Sequence, residues 1–189
     1  MRTMSTKIIQ GWLPLIPPLL LAACSSNGPN RSNSTGTAHA ESELRRLVVD
    51  GQELHSSLIT WTVDSAAALG STLAFRENPR LSADPEFVEV IARGSSQGRL
   101  DREGIREALY ALYVGEGQVG VYGLRAASLA DADCREGQLR GIWAHSASVG
   151  RSRVHREGTI LVVVWHHGVS PECWEAVNTE VVKRLNTPE

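Results

Sequence analysis

Arg151, Arg153 and His155 alternate within the stretch Arg151-Ser152-Arg153-Val154-His155-Arg156. Alternate residues of an extended strand share a face, so this spacing predicts a short basic face, to which Arg140 and Arg156 add charge nearby. Guanidinium groups set in a row can grip phosphates or carboxylates through charge-assisted, bidentate hydrogen bonds. The same charges also suit an edge strand that must be kept from pairing indiscriminately.

A second polar group surrounds the two ends of an apolar run. His145, Ser146 and Ser148 lie close together in the chain, and His166 and His167 are followed by Glu172. Two imidazoles and a carboxylate could hold zinc with an open position for water. Adjacent residues of a regular strand point to opposite faces, however, so only a bend after Trp165 lets both His166 and His167 reach one metal. By residue type, Ser146 or Ser148 with His145 or His166 and Asp131 or Asp133 would make a hydrolase triad. Neither serine sits in a Gly-x-Ser-x-Gly nucleophile elbow. The chain has no dinucleotide fingerprint, phosphate-cradling glycine loop, calcium loop or Cys-x-x-Cys. No cofactor or resident metal is expected.

The elements that must position these residues fall into two halves. In the first, Leu44, Leu47, Val48, Leu54, Leu58, Trp61 and Leu69 fall at three- and four-residue steps, the helical period. They predict one long helix over 42–75, ending before Asn78-Pro79, with Glu43, Arg46, Asp50, Glu53 and Asp64 on its other side. His55 and Trp61 read as residues in or beside the core. Asp84-Pro85-Glu86 is a capped helix start, and Gly94 stops that helix. Asp101 is expected to cap a third helix, with Ile105, Leu109, Leu112 and Tyr113 on one stripe, Glu103, Arg106 and Glu107 solvated, and Gly115 at its end.

After Gly117 the apolar period becomes two. Val119, Val121, Tyr122 and Leu124 predict a strand; residues 128–138 read as a loop or short helical turn; Leu139–Ser146 reads as a second strand. Arg151–Arg156 is a third, joined through a Glu157-Gly158 hairpin turn to a central strand over Thr159–Trp165, apolar on both faces. That turn would set Arg153 opposite Val162 and His155 opposite Ile160. Ser170-Pro171-Glu172 repeats the capped start and opens a C-terminal helix carrying Trp174, Val177, Val181, Val182 and Leu185 before Pro188. The whole is an α+β domain: N-terminal helices, then a small antiparallel sheet of about four strands, then a C-terminal helix.

The strongest local pattern lies at the beginning. Leu21-Ala22-Ala23-Cys24 follows a charged start (Arg2, Lys7) and an apolar run from Ile8 to Leu21 interrupted by Pro14, Pro17 and Pro18. Charge, a short apolar region and then small residues make a secretory signal, too short for a spanning helix. A cysteine directly after Leu-Ala-Ala resembles the lipobox of bacterial lipoprotein precursors. The resemblance covers residues 1–24 and implies cleavage before Cys24, diacylglycerol on its sulfur and a further acyl chain on its new amine. One chain anchors marginally, at roughly 0.8 kcal/mol per buried methylene, whereas two or three hold firmly. Ser25 and Ser26, rather than an Asp, follow Cys24, which by the same resemblance implies the outer membrane.

Three parts follow: a signal peptide (1–23), the lipidated Cys24 with a polar tether to residue 41, and a single periplasmic domain over 42–189. The tether, rich in Ser, Asn, Thr and Gly, cannot bury enough surface to order itself and should span roughly 20–25 Å. Removal of 1–23 takes away two of 19 basic residues and none of 21 acidic ones, leaving a net charge of −4; nucleic acid is a poor partner for such a chain. With Cys24 lipidated, Cys134 and Cys173 remain. In an oxidising compartment they are expected to pair, contributing roughly 3–4 kcal/mol in the chain-entropy model; a zinc or catalytic thiol pair is the alternative. The reading overall is a membrane-tethered binding, accessory or inhibitor/immunity-type protein for another envelope component. Its candidate face is Arg140, Arg151, Arg153, His155 and Arg156, its ligand an envelope protein or an anion such as a lipopolysaccharide phosphate or a peptidoglycan carboxylate. The second reading is a small periplasmic hydrolase or metal-dependent enzyme using His145, Ser146, His166, His167 and Glu172.

Overall fold

Three long apolar stretches form the middle of one antiparallel sheet: β3 (Ile105–Val114), β4 (Gln118–Ala126) and β6 (Ile160–His167). The computed structural model describes residues 42–61, 77–145 and 151–187. The signal peptide, Cys24 and the tether lie outside the described residues, as do Asp64, Leu69, Ser146, Ser148 and Pro188. Among the described residues no helix is long and apolar enough to cross a membrane. Two short strands, β1 (Ile59–Thr60) and β2 (Arg80–Ser82), both pair with β3. β5 (Ser152–Glu157) closes the other end of the order β1-β3-β4-β6-β5. The α+β class and the C-terminal helix hold; among the described residues the sheet has six strands rather than about four.

Both faces of the sheet are covered. One carries helix α2 (Pro85–Ser95) through Phe87, Val88 and Ile91 and helix α3 (Leu129–Ala144) through Ala132, Leu139 and Ile142. The other carries the N-terminal segment through Leu44, Leu47, Leu54 and Leu58 and helix α4 (Pro171–Leu185) through Trp174, Val177, Val181 and Leu185. A strand buried on both faces needs apolar residues at every position. That is why Ile105–Val114 is a strand and not the expected helix: eight consecutive residues, Glu107 to Val114, are buried. Its Leu and Ala residues favour helix in isolation, and the spacing of Ile105, Leu109, Leu112 and Tyr113 matches a stripe only because every position is filled. Asp101 caps a turn instead, its Oδ1 accepting the Glu103 N–H at 3.0 Å. Nor is Glu107 part of a solvated face. It is buried, and its carboxylate accepts from the Ser42 hydroxyl at 2.5 Å and from Arg125 Nε at 3.0 Å.

Over 42–61, the part of the expected 42–75 helix that lies within the described residues, the chain forms instead a 3₁₀ turn (Glu43–Leu47), a single helical turn α1 (Gly51–Leu54) and β1. Asp50 restarts the chain with a capping box: its Oδ1 accepts the Gln52 N–H at 2.9 Å, and Glu53 Oε1 accepts the Asp50 N–H at 3.3 Å. The chain then folds back so closely that a Cβ on Gly51 would stand 2.6 Å from the Ile59 carbonyl carbon. Leu44, Leu47, Leu54, Leu58 and Trp61 still reach the core, by reversals rather than helical period. α2 and α4 start where expected. Asp84 Oδ1 accepts the N–H groups of Glu86 and Phe87 at 3.1 and 2.9 Å, and Ser170 Oγ accepts that of Cys173 at 3.2 Å.

Residues 128–138 and the expected second strand, Leu139–Ser146, are one element through Ala144: the sixteen-residue helix α3. Ser128 Oγ caps it by accepting the Asp131 N–H at 3.1 Å, and Ala132, Arg135, Leu139 and Ile142 give a helical stripe. The β5–β6 turn is Gly158-Thr159, with Gly158 at φ +55° and Glu157 opposite Ile160. Arg153 therefore faces Val164 and His155 faces Val162, two residues from the expected register. The shift is even, so every β5 side chain keeps its expected face.

Candidate functional site

β5 holds the expected alternation, but its cations are largely neutralised within the domain. Arg153, on the α4 side, makes a two-pronged ion pair with Glu175, its Nη1 donating to Oε2 at 2.8 Å, and its guanidinium stands 5.4 Å from the Trp174 ring centroid. This pairing holds the guanidinium above, and the Glu175 carboxyl below, their ordinary pKa values. Arg156, on the opposite face, pairs with Asp133 and lies 3.4 Å from Glu136. Arg140 on α3 pairs with Glu136 at 2.8 Å. Arg151 alone of the four arginines is exposed with no ion-pair partner among the described residues. The expected continuous basic face is thus a set of strand-to-helix clamps with one outlying cation. The acidic partners were missed in the sequence because Asp133 and Glu136 fell in a segment read as loop.

His155 is half-buried, and its Nε2 lies 3.1 Å from Asn178 Oδ1. Asn178 is buried, with Nδ2 donating to the Trp174 carbonyl at 2.8 Å. Burial pushes the His155 pKa down, with the Asn178 contact opposing and the charges of Arg153 and Arg140 adding to the depression. A folded-state pKa below the unfolded one means the unfolded chain binds protons first as pH falls. Stability should therefore drop from neutral pH downward through the ordinary imidazole range. Thermal melts between pH 7.5 and 5.5 should show this fall, with a shallower slope for His155→Gln.

Beside β5 lies a groove of about 540 Å³, walled by Arg140, Trp143 and Ala144 of α3 and by Ser152, Arg153 and His155 of β5. Trp143 is fixed there by its indole N–H donating to the Ser95 carbonyl at 2.8 Å. β5 ends the sheet. The Arg151 carbonyl accepts from His166 N–H at 2.9 Å, so the backbone of Arg151, Arg153, His155 and Glu157 faces β6. That of Ser152, Val154 and Arg156 faces outward, away from the sheet.

The described residues of the enzyme reading, His145, His166, His167 and Glu172, are not brought together. His145 follows α3, its Nδ1 lying 2.8 Å from the Gly141 carbonyl oxygen. His166 lies on the other face, its ring 4.4 Å from that of Trp174, and His167 and Glu172 are exposed. Asp133 is engaged by Arg156, and Asp131 accepts from Ser128 Oγ at 2.7 Å. Among the described residues no three His, Cys, Asp or Glu side chains are placed to hold a metal. One stretch elsewhere does match Gly-x-Ser-x-Gly: Gly94-Ser95-Ser96-Gln97-Gly98. It closes α2 rather than joining a strand to a helix, and Ser96 Oγ is buried on backbone groups, at 2.8 Å from the Ala92 carbonyl and 3.0 Å from the Leu100 N–H. It is a helix end, not a nucleophile elbow.

The expected Cys134–Cys173 bond is not formed. Cys173 is a free, buried thiol in the α4-side core, with Ser57 Oγ at 3.9 Å. Cys134 belongs to α3, on the other side of the sheet, and a disulfide requires Cα atoms within about 7 Å. The alternative pairing of these two sulfurs around zinc fails on the same separation. No protein-family model, no curated protein and no solved structure matches this chain.

Proposed function

We propose that this chain is an outer-membrane lipoprotein whose folded domain is a non-catalytic binding or accessory module for another envelope protein. The anchor rests on the lipobox-like Leu21-Ala22-Ala23-Cys24. The binding role rests on one observation: the outward backbone of Ser152, Val154 and Arg156 lies along an edge of the sheet that no strand among the described residues covers, beside the groove walled by Trp143 and Arg140. An exposed edge takes an extended segment by adding it as a strand. With Arg140, Arg153 and Arg156 already holding carboxylates, a protein segment suits this edge better than a bare anion. The enzyme reading based on His145, His166 and Glu172 has no supporting geometry.

The test is affinity capture with the full-length chain from native membranes, comparing the natural sequence with Ser152→Pro, which removes one outward N–H. Loss of a captured envelope protein, with an unchanged circular dichroism spectrum, is the expected result. An identical set of captured proteins would overturn the docking role of β5. Cys24→Ser should move the protein into the aqueous phase of a detergent split; retention in the detergent phase would overturn the anchor.

A further inference from the structure

Two exposed charged residues without an ion-pair partner among the described residues flank β5: Arg151, which directly precedes it, and Glu157, its last residue. They share one face with Arg153 and His155, because all four face β6 through their backbone. The strand is therefore self-complementary when run against itself. We propose that the β5 edge takes a second copy of this chain, the two strands pairing antiparallel about Val154 so that Arg151 of each lies opposite Glu157 of the other. This rests on the reading of β5 as a docking strand and names what covers the edge while no envelope protein is bound.

Backbone and side chains agree on this register. Only outward-facing residues can hydrogen-bond across a new strand pair, which leaves registers aligning Ser152, Val154 and Arg156 with one another. Centring on Arg153 would set that arginine against itself. Centring on His155 would set Glu157 opposite an arginine already clamped by Glu175 and leave Arg151 without a carboxylate. Centring on Val154 opposes Val154 with Val154 and Ser152 with Arg156, and satisfies both orphan charges twice. Arg153 then faces His155, a juxtaposition eased by Glu175 on the arginine and by the burial that lowers the His155 pKa. The Arg156 guanidinium is held on α3 by Asp133. The contact is isologous, each chain giving and receiving the same groups, and closes as a dimer. Exposed ion pairs contribute little affinity; here they select the register, while the backbone ladder and the filled groove hold the pair. Self-pairing and capture of a different strand use the same backbone groups, so each excludes the other.

The experiment measures the mass of the full-length chain in neutral detergent, by light scattering across a concentration series, for four proteins: the natural chain, Arg151→Glu, Glu157→Arg and the double swap. The natural chain should be dimeric. Each single reversal creates like charges in two places and should weaken the dimer by about tenfold, and the double swap should restore it. Circular dichroism checks that each variant folds; both positions are exposed. A monomeric natural chain, a dimer indifferent to the single reversals, or a folded double swap that stays as weak as they are would each overturn self-pairing. If Ser152→Pro still abolishes capture of an envelope protein in that case, the docking reading stands without it; if it does not, both fall.

Discussion

Replacing Leu161 with alanine should destabilise the domain by about 2–5 kcal/mol, the range for emptying a fully buried leucine site. Leu161 is completely buried on β6, in the same cluster as Leu124, Leu139 and Val163. β4 and β5 flank it in the sheet. A side chain so enclosed leaves a cavity that the strand ladder cannot close, because moving β6 would break pairing on both sides. At roughly 3 °C per kcal/mol for a domain of this size, the melting temperature should fall by about 6–15 °C. Val90→Ala is the control. Val90 is 46% exposed on α2, and its truncation should stay within about 0.5 kcal/mol. Equal effects at the two positions would mean that β6 is not the packed centre of the sheet.

Gly117→Ala should be the other severe substitution. Gly117 lies in the β3–β4 turn, where its carbonyl accepts the Gly115 N–H at 2.9 Å. A Cβ there would sit 2.3 Å from the His167 carbonyl oxygen and 2.5 Å from the Gly168 carbonyl carbon. Both are backbone atoms and cannot swing aside like the tip of a side chain. The hairpin tip would have to lift from the end of β6, taking the Gln118–His167 pair with it. A cost of about 2–3 kcal/mol is expected, the upper part of the overpacking range. Gly137→Ala should act in the opposite direction. Gly137 lies inside α3 with open space where its Cβ would go, so alanine there should stabilise by roughly 0.5–1 kcal/mol. Chemical denaturation of the two variants side by side gives both signs at once; a stable Gly117→Ala protein would contradict the close approach of the turn to β6.

The parts of the fold that were legible in the sequence are those whose signals are local. Asp84-Pro85 and Ser170-Pro171 fix helix starts whatever surrounds them. The alternation of β4 and β5 and the β-branched run of β6 also come through. The misreading of β3 has a plain cause. A sheet covered on both faces removes the polar half of the strand pattern, so Ile105–Val114 offered helix formers at every spacing and no alternation to contradict them. α3 erred in the other direction. Gly137 and Gly141 and a sparse apolar stripe hid a sixteen-residue helix, and reading its first half as a loop concealed Asp133 and Glu136 as partners of β5. The candidate site was legible as residue types along one strand, and its charge balance was not, because the carboxylates that neutralise Arg153 and Arg156 come from α4 and α3, at least twenty positions away along the chain, and the Arg140–Glu136 pair shows only once α3 is read as a helix.

The sheet that divides the two cores gives Cys173 an unusual use. Its sulfur lies under the first turn of α4, with burial pushing the thiol pKa up, so alkylating reagents meet neither an accessible atom nor a ready thiolate while that turn is seated. Labelling then waits for α4 to detach, and its rate becomes a stopwatch for that opening. The molecule thereby carries its own reporter of local unfolding, readable by mass shift in intact membranes without any introduced probe.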